Sequence, residues 1–154
     1  MNNKLTVPST RLMSMFYTFN EKYFNNLLRP EEVGFGKRPS TNWLGQTVYL
    51  APRQKYSYII KLNPLLKGTR YEHILLHEMI HGYLWQKYRR PSGHDTAFNQ
   101  LARDISIKSG YTITAWCGPD LTPTKIMRYV KEQQAKKLIK KYMPKLKEIK
   151  TDIL

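Results

Sequence analysis

"RYEHILLHEMIHGYLWQKY", residues 70–88, decides how the rest of the chain is read. Its apolar residues Ile74, Leu75, Leu76, Met79, Ile80, Tyr83, Leu84 and Trp85 cover nearly every direction around a helix. The spacing therefore predicts a helix from Arg70 to about Tyr88 that is buried, not half exposed. A buried helix has little room for charge unless something uses it, yet this one carries His77, Glu78 and His81. His77 and His81 are one turn apart and project side by side, so their imidazoles can take two adjacent corners of a zinc tetrahedron. Glu78 points roughly 100° round the axis, too far to chelate well, and is placed as general base for a water polarised by the metal. A carboxylate that takes that proton and later hands it to a leaving amine would hydrolyse a peptide bond. The competing explanation of the pattern is a pair of core histidines, since H-E-x-x-H also arises by chance.

A catalytic zinc wants a third protein ligand and an open fourth position. His94 follows the break RRPSG at residues 89–93, at the start of a second helical period running from His94 to Lys108 through Ala97, Phe98, Leu101 and Ile105, with Gly110 as its stop. It is the preferred third ligand, with Asp95 and Asp104 as rivals and a helix-capping role as the structural alternative. The metzincin pattern fails, because Leu84 and Lys87 stand where its glycine and third histidine belong. His73 lies one turn before His77, but three histidines in one helical row cannot all reach one ion, so it is expected to be exposed or in an outer shell.

Around this centre the chain reads as α+β. Leu12, Met15, Phe16, Phe19, Tyr23, Phe24 and Leu27 form one face of a helix from Ser9 to Leu28, capped by Ser9 or Thr10. Val33–Lys37, Thr47–Leu50 and Tyr56–Leu62 read as short antiparallel strands, the last two forming a hairpin about a turn at Arg53–Lys55. From Lys125 a lysine-rich segment begins; Ile126, Tyr129, Val130, Leu138, Ile139, Tyr142 and Met143 give it an apolar side, so a docked helix broken near Pro144 is expected.

At 154 residues and 18.3 kDa there is material for one domain with an appendage, divided here as 1–124 and 125–154. Twenty-six Lys and Arg oppose eleven Asp and Glu, a net charge of +15 with a pI near 9.9, which points to a polyanionic partner and first to nucleic acid. The tail holds ten basic and three acidic residues, +7 of that total, leaving +8 on the first 124. Cys117 is the only cysteine, which excludes an internal disulfide and a cysteine-based zinc ribbon and fits a reducing, cytoplasmic setting, including one associated with a nucleoid or nucleus. No apolar run has the length of a signal peptide or a membrane span, so no membrane association is expected.

With these residues in view, the chain resembles the SprT-like metalloproteases, the group of Spartan-type proteases that act on DNA–protein crosslinks. The likeness rests on "FNEKYF" (residues 19–24), "IKLNPLL" (60–66), "HEMIH" (77–81) and "GHDTAF" (93–98). It implies a compact zincin-like domain of helices on a small antiparallel sheet, zinc held by His77, His81 and His94, Glu78 as the catalytic base, and proteins bound to DNA as substrates. Asp95 departs from the glycine often found after the third histidine, and the cysteine-rich ribbon of some members is missing, so DNA contacts must come from elsewhere. Tyr129 and Tyr142 among the tail lysines, and Trp43, Tyr56, Tyr58, Trp85 and Trp116, are the rings on which bases could stack, with core packing as the alternative for each. Tyr111 and Arg70 are the candidates for stabilising an oxyanion. Two other functions compete: a processing peptidase of the same chemistry without DNA dependence, and a basic nucleic-acid-binding protein whose metal site is silent.

Overall fold

The computed structural model describes residues 3–40, 42–50, 57–114, 128, 131–132, 134–137, 139–141 and 144. The turn at Arg53–Lys55, Tyr56, Trp116, Cys117, the boundary near residue 124 and most of the tail's apolar side lie outside them.

Helix α1 spans Thr10–Phe24 and is capped by Ser9, whose side chain accepts from the Leu12 amide at 3.3 Å. Leu12, Phe16, Phe19 and Phe24 form its buried face. It stops four residues before the expected Leu28, because Asn25 and Asn26 turn left-handed, with φ of 51° and 57°. Asparagine tolerates that conformation better than most residues. The turn is then clamped: buried Asn20 accepts from the Leu28 amide at 3.1 Å and donates to its carbonyl at 3.2 Å. Leu28 is buried by this reversal and not by helical periodicity.

Strands β1 (Thr6–Val7), β2 (Glu32–Gly36), β3 (Gly45–Tyr49) and β4 (Tyr58–Leu62) form one sheet in the order β1-β2-β4-β3. The expected pairing of the last two holds: β3 and β4 are antiparallel, with Thr47 opposite Ile60. The sheet as a whole is mixed instead of antiparallel. β4 inserts between β2 and β3, and because it runs antiparallel to β3 it comes to lie parallel to β2, with Val33 opposite Ile60. The segment after β2 therefore carries the chain past β4's place to the far edge. Among the described strands β3 is therefore at the edge of the sheet. β1 was not anticipated; it is two residues long and is held to the sheet by Glu32, whose carboxylate accepts from the Thr6 amide at 2.8 Å and its hydroxyl at 2.7 Å.

A 3-10 turn at Pro64–Leu66 leads to α2 (Glu72–Tyr88), buried over most of its surface as its sequence requires. α3 (Thr96–Ser109) follows, closed by Gly110 at φ 76°. It begins at Asp95, which accepts from the Phe98 amide at 3.0 Å, so His94 precedes the helix instead of opening it. The core is a single cluster gathered from α1, the sheet, α2 and α3. Tyr58 and Trp85 belong to it, so neither is a platform for nucleic-acid bases; Trp43 is half-buried with the Lys61 ammonium 5.1 Å from its ring centre.

In the tail, Arg128, Lys131, Glu132, Gln134–Lys137, Ile139–Lys141 and Pro144 are helical and exposed. Ile139, expected on the docked side, is 58% exposed, and the helical backbone includes Pro144 itself. No helix among the described residues is long and apolar enough to cross a membrane.

Candidate metal centre

α2 delivers His77 and His81 to one side of its axis, both buried. At its end Arg89 turns left-handed (φ 59°), and the following loop returns the chain so that His94 meets them. The three Nε2 atoms form a nearly equilateral triangle: 3.2 Å from His77 to His81, 3.2 Å from His81 to His94 and 3.0 Å from His94 to His77. Phe98, fully buried one turn into α3, lies against all three imidazoles, with ring centres 4.7–4.8 Å apart. The phenylalanine four residues after His94 thus acts as the floor on which the triangle rests.

The His77 and His81 rings are also held at Nδ1, and His94 through its main chain. The His77 Nδ1 is 2.8 Å from the Thr114 carbonyl, which can only accept, so Nδ1 carries the proton and Nε2 is left with a bare lone pair. Thr114 is brought there by the segment after α3, which is tied back where the Ile113 amide donates to Ser106 Oγ at 3.0 Å. The His81 Nδ1 is 3.2 Å from Ser92 Oγ, and Asn99 donates to the His94 carbonyl at 3.2 Å. Burial is the main cause that pushes His77 down to about 3 and His81 to about 4, and it lowers His94 as well. All three are therefore neutral near pH 7, the state in which imidazole ligates a metal. Three neutral rings directing Nε2 at one point fit a cation. Nitrogens bound at about 2.0–2.1 Å to a tetrahedral ion stand about 3.3 Å apart, close to the observed triangle. His77, His81 and His94 could hold a metal ion, and among the described residues no carboxylate shares their cluster.

Glu78 is 3% exposed. Its Oε2 lies 2.7 Å from the Thr47 hydroxyl, which also lies 2.9 Å from the Glu78 main-chain carbonyl. Burial raises its carboxyl to about 7 against the pull of the Thr47 hydrogen bonds, and a bound cation would lower it again. The opposite wall is β3, whose residues Gly45 to Tyr49 all line a cleft of about 430 Å³ facing His77, Glu78, His81, Ser92 and His94. Gly45 is required by this approach: a β-carbon there would stand 2.8 Å from both Cγ and Oε1 of Glu78. Tyr49 stacks on Trp85 at 4.6 Å, and burial raises its phenol, with the Glu78 charge adding to the effect and hydrogen bonding at Ser92 opposing it.

The rival ligands are elsewhere. Asp95 caps α3, Asp104 is exposed on that helix, and His73 is half-buried one turn before His77, outside the cluster. Neither oxyanion candidate lines the cleft: Tyr111 packs against Phe19, and Arg70 borders a separate cavity. Gly45, Thr47, Tyr49, Ser92 and the Thr114 carbonyl were not anticipated. No spacing rule points to them, since they serve the site from a strand edge, a loop and the main chain.

A profile of the SprT-like family matches residues 12–116, a span that holds all but the first two residues of α1, the strands from β2 onward, the whole triangle and Glu78. No curated protein matches the chain.

Proposed function

The chain belongs to the SprT-like family, and from that premise we propose that it is a zinc-dependent endopeptidase acting on proteins associated with or crosslinked to DNA. The observation that carries the reading is the Nε2 triangle beside a buried, otherwise costly carboxyl group. His77, His81 and His94 would hold the zinc, which when bound supplies Lewis-acid polarisation of water and of a peptide carbonyl.

The chain's own residues do the rest. Glu78 accepts a proton from the attacking water and delivers it to the departing amine. Thr47 holds the carboxyl by one oxygen, and Gly45 leaves space for it. β3 is at the sheet edge among the described residues, where no described strand uses its outer main-chain donors and acceptors, so an extended substrate segment can pair there as an additional strand. A substrate so placed spans the cleft between β3 and the histidines, which suits cleavage within a chain. The +15 net charge supports a DNA-associated target, because a protein carried on DNA arrives with a dense array of phosphates.

The test is cleavage of a DNA-bound protein by the zinc-loaded enzyme, with and without DNA. Cleavage that needs both the zinc and the DNA supports the full proposal. Equal cleavage of the same protein free of DNA would leave a processing peptidase, and no cleavage of any protein by a zinc-replete sample would leave a silent nucleic-acid-binding protein.

A further inference from the structure

A second cavity, about 690 Å³, lies away from the histidine triangle and is lined by Arg11 from the start of α1, Arg70 and His73 at the start of α2, and Lys136, Lys137 and Lys140 from the tail. It shares no lining residue with the cleft along β3. Gly68 and Thr69 complete its described lining, which holds no carboxylate, although the Glu72 charge reaches the neighbouring His73. The tail is packed closely here: a β-carbon on Gly68, whose φ is +75°, would stand 2.6 Å from Lys137 Nζ. Arg11 is held with its guanidinium 5.3 Å over the Tyr71 ring. Lys136 and Lys140 are one helical turn apart and so share a face.

Arg11 and the three tail lysines gather round one concavity with Arg70, and low-dielectric walls intensify the field inside; Glu72, whose charge acts on His73, offsets only part of it. A surface that only needed solubility would balance such charges one for one, as α1 does with Glu21 beside Lys22, whereas here one acid, Glu72, stands beside two arginines and three lysines. The arrangement is favourable when an anion with several oxygens occupies the space, because guanidinium and ammonium groups then make charge-assisted hydrogen bonds to it. We propose that this cavity is a phosphate-binding site, built jointly by the catalytic domain and the tail. Its volume accommodates more than one phosphate, as successive groups of a nucleic-acid backbone or as a small polyphosphate. The site is separate from the zinc chemistry, and its test needs no proteolysis.

The experiment compares the full chain with a Lys136→Ala/Lys137→Ala/Lys140→Ala variant, and with a control of equal charge, Lys4→Ala/Lys22→Ala/Lys108→Ala, whose residues are exposed outside the cavity. Binding of a labelled oligothymidylate is followed by fluorescence anisotropy at several salt concentrations, and binding of inorganic pyrophosphate by calorimetry. Three lost contacts to a single strand should reduce the log–log salt slope by about 2 and weaken binding about tenfold at moderate salt, with the control far less affected. That result identifies backbone phosphates as the ligand. Loss of pyrophosphate binding alone, with oligothymidylate unchanged, also supports the site and makes a small phosphate its ligand. Equal losses in the cavity and control variants, or no loss of either probe, would overturn the proposal. Unchanged thermal melting of both variants excludes a folding defect as the cause.

Discussion

The two walls of the cleft differ in how they are made. The α2 wall works through side chains of fixed chemistry: His77, Glu78 and His81, buried where they have little freedom, and the partly buried His94 that meets them. The β3 wall works through small residues and main chain: an absent side chain at Gly45, one hydroxyl at Thr47 and an open strand edge. In the proposed peptidase one wall would supply the reacting groups and the other their placement. Substitutions on the first should remove metal or chemistry outright, whereas those on the second should leave the metal in place and impair its use.

The largest effect is expected from His77→Ala. It removes a ligand and also strands the Thr114 carbonyl, so the protein should lose its zinc, its peptidase activity and much of its thermal stability together. Zinc content, cleavage rate and melting temperature of one preparation check this; retention of stoichiometric zinc would break the assignment.

Across the cleft, Gly45→Ala places a methyl against Glu78 and must displace the carboxyl. A shift of about 1 Å in a reacting group costs on the order of 100-fold in rate. The expected outcome is that loss in kcat with zinc content unchanged, and a variant as active as the parent would show that the close approach of β3 is unimportant. Thr47→Val should cost less, about tenfold in kcat with KM retained, because one hydrogen bond to Glu78 is lost while the packing volume is nearly kept. Thr47→Ser restores the hydroxyl and should recover most of the activity. If valine and serine behave alike, the hydroxyl does not position Glu78.

The smallest effect concerns pH in the metal-stripped protein. His77 and His81 have folded-state values of about 3 and 4, below the ordinary 6.5, so the unfolded chain binds more protons and stability falls as pH drops below 6.5. Glu78 has the opposite sign. Its folded value of about 7 exceeds 4.5, giving stability that is complete below 4.5 and lost as pH rises through 7. Two histidines outweigh one carboxyl, so melting temperature should decline from pH 6.5 to 4.5, and more steeply in Glu78→Gln, which lacks the offset. Parallel curves for the two proteins would contradict the buried-carboxyl account.

The same contrast explains what the sequence discloses. The histidines and Glu78 are legible because a metal site and the general base proposed beside it restrict residue type, and a helix fixes the spacing of His77, Glu78 and His81. α2 is recognisable as buried because it is apolar all round, and α1 because its apolar face repeats. The end of α1 is not, since it depends on Asn20 gripping Leu28 after the chain has reversed. The parallel pairing of β2 with β4 is also hidden, because the insertion of β4 between two earlier strands is a tertiary choice that alternation within a strand does not encode. Thr47 and Ser92 are common residues whose roles come only from what stands opposite them. Arg70, proposed for the oxyanion, instead borders the basic cavity that the fold assembles from three distant segments.

The most direct measurement of the central claim is zinc stoichiometry and peptide-bond cleavage in parent and Glu78→Gln protein, prepared identically. Glutamine preserves size and a hydrogen bond to Thr47 but cannot take a proton from water. The account predicts one zinc per chain in both proteins, the same melting temperature within a few degrees, and a cleavage rate lowered by about 10²–10⁴-fold in the variant. Equal cleavage by the two proteins, or a parent protein that holds no zinc after metal-supplemented purification, would contradict it.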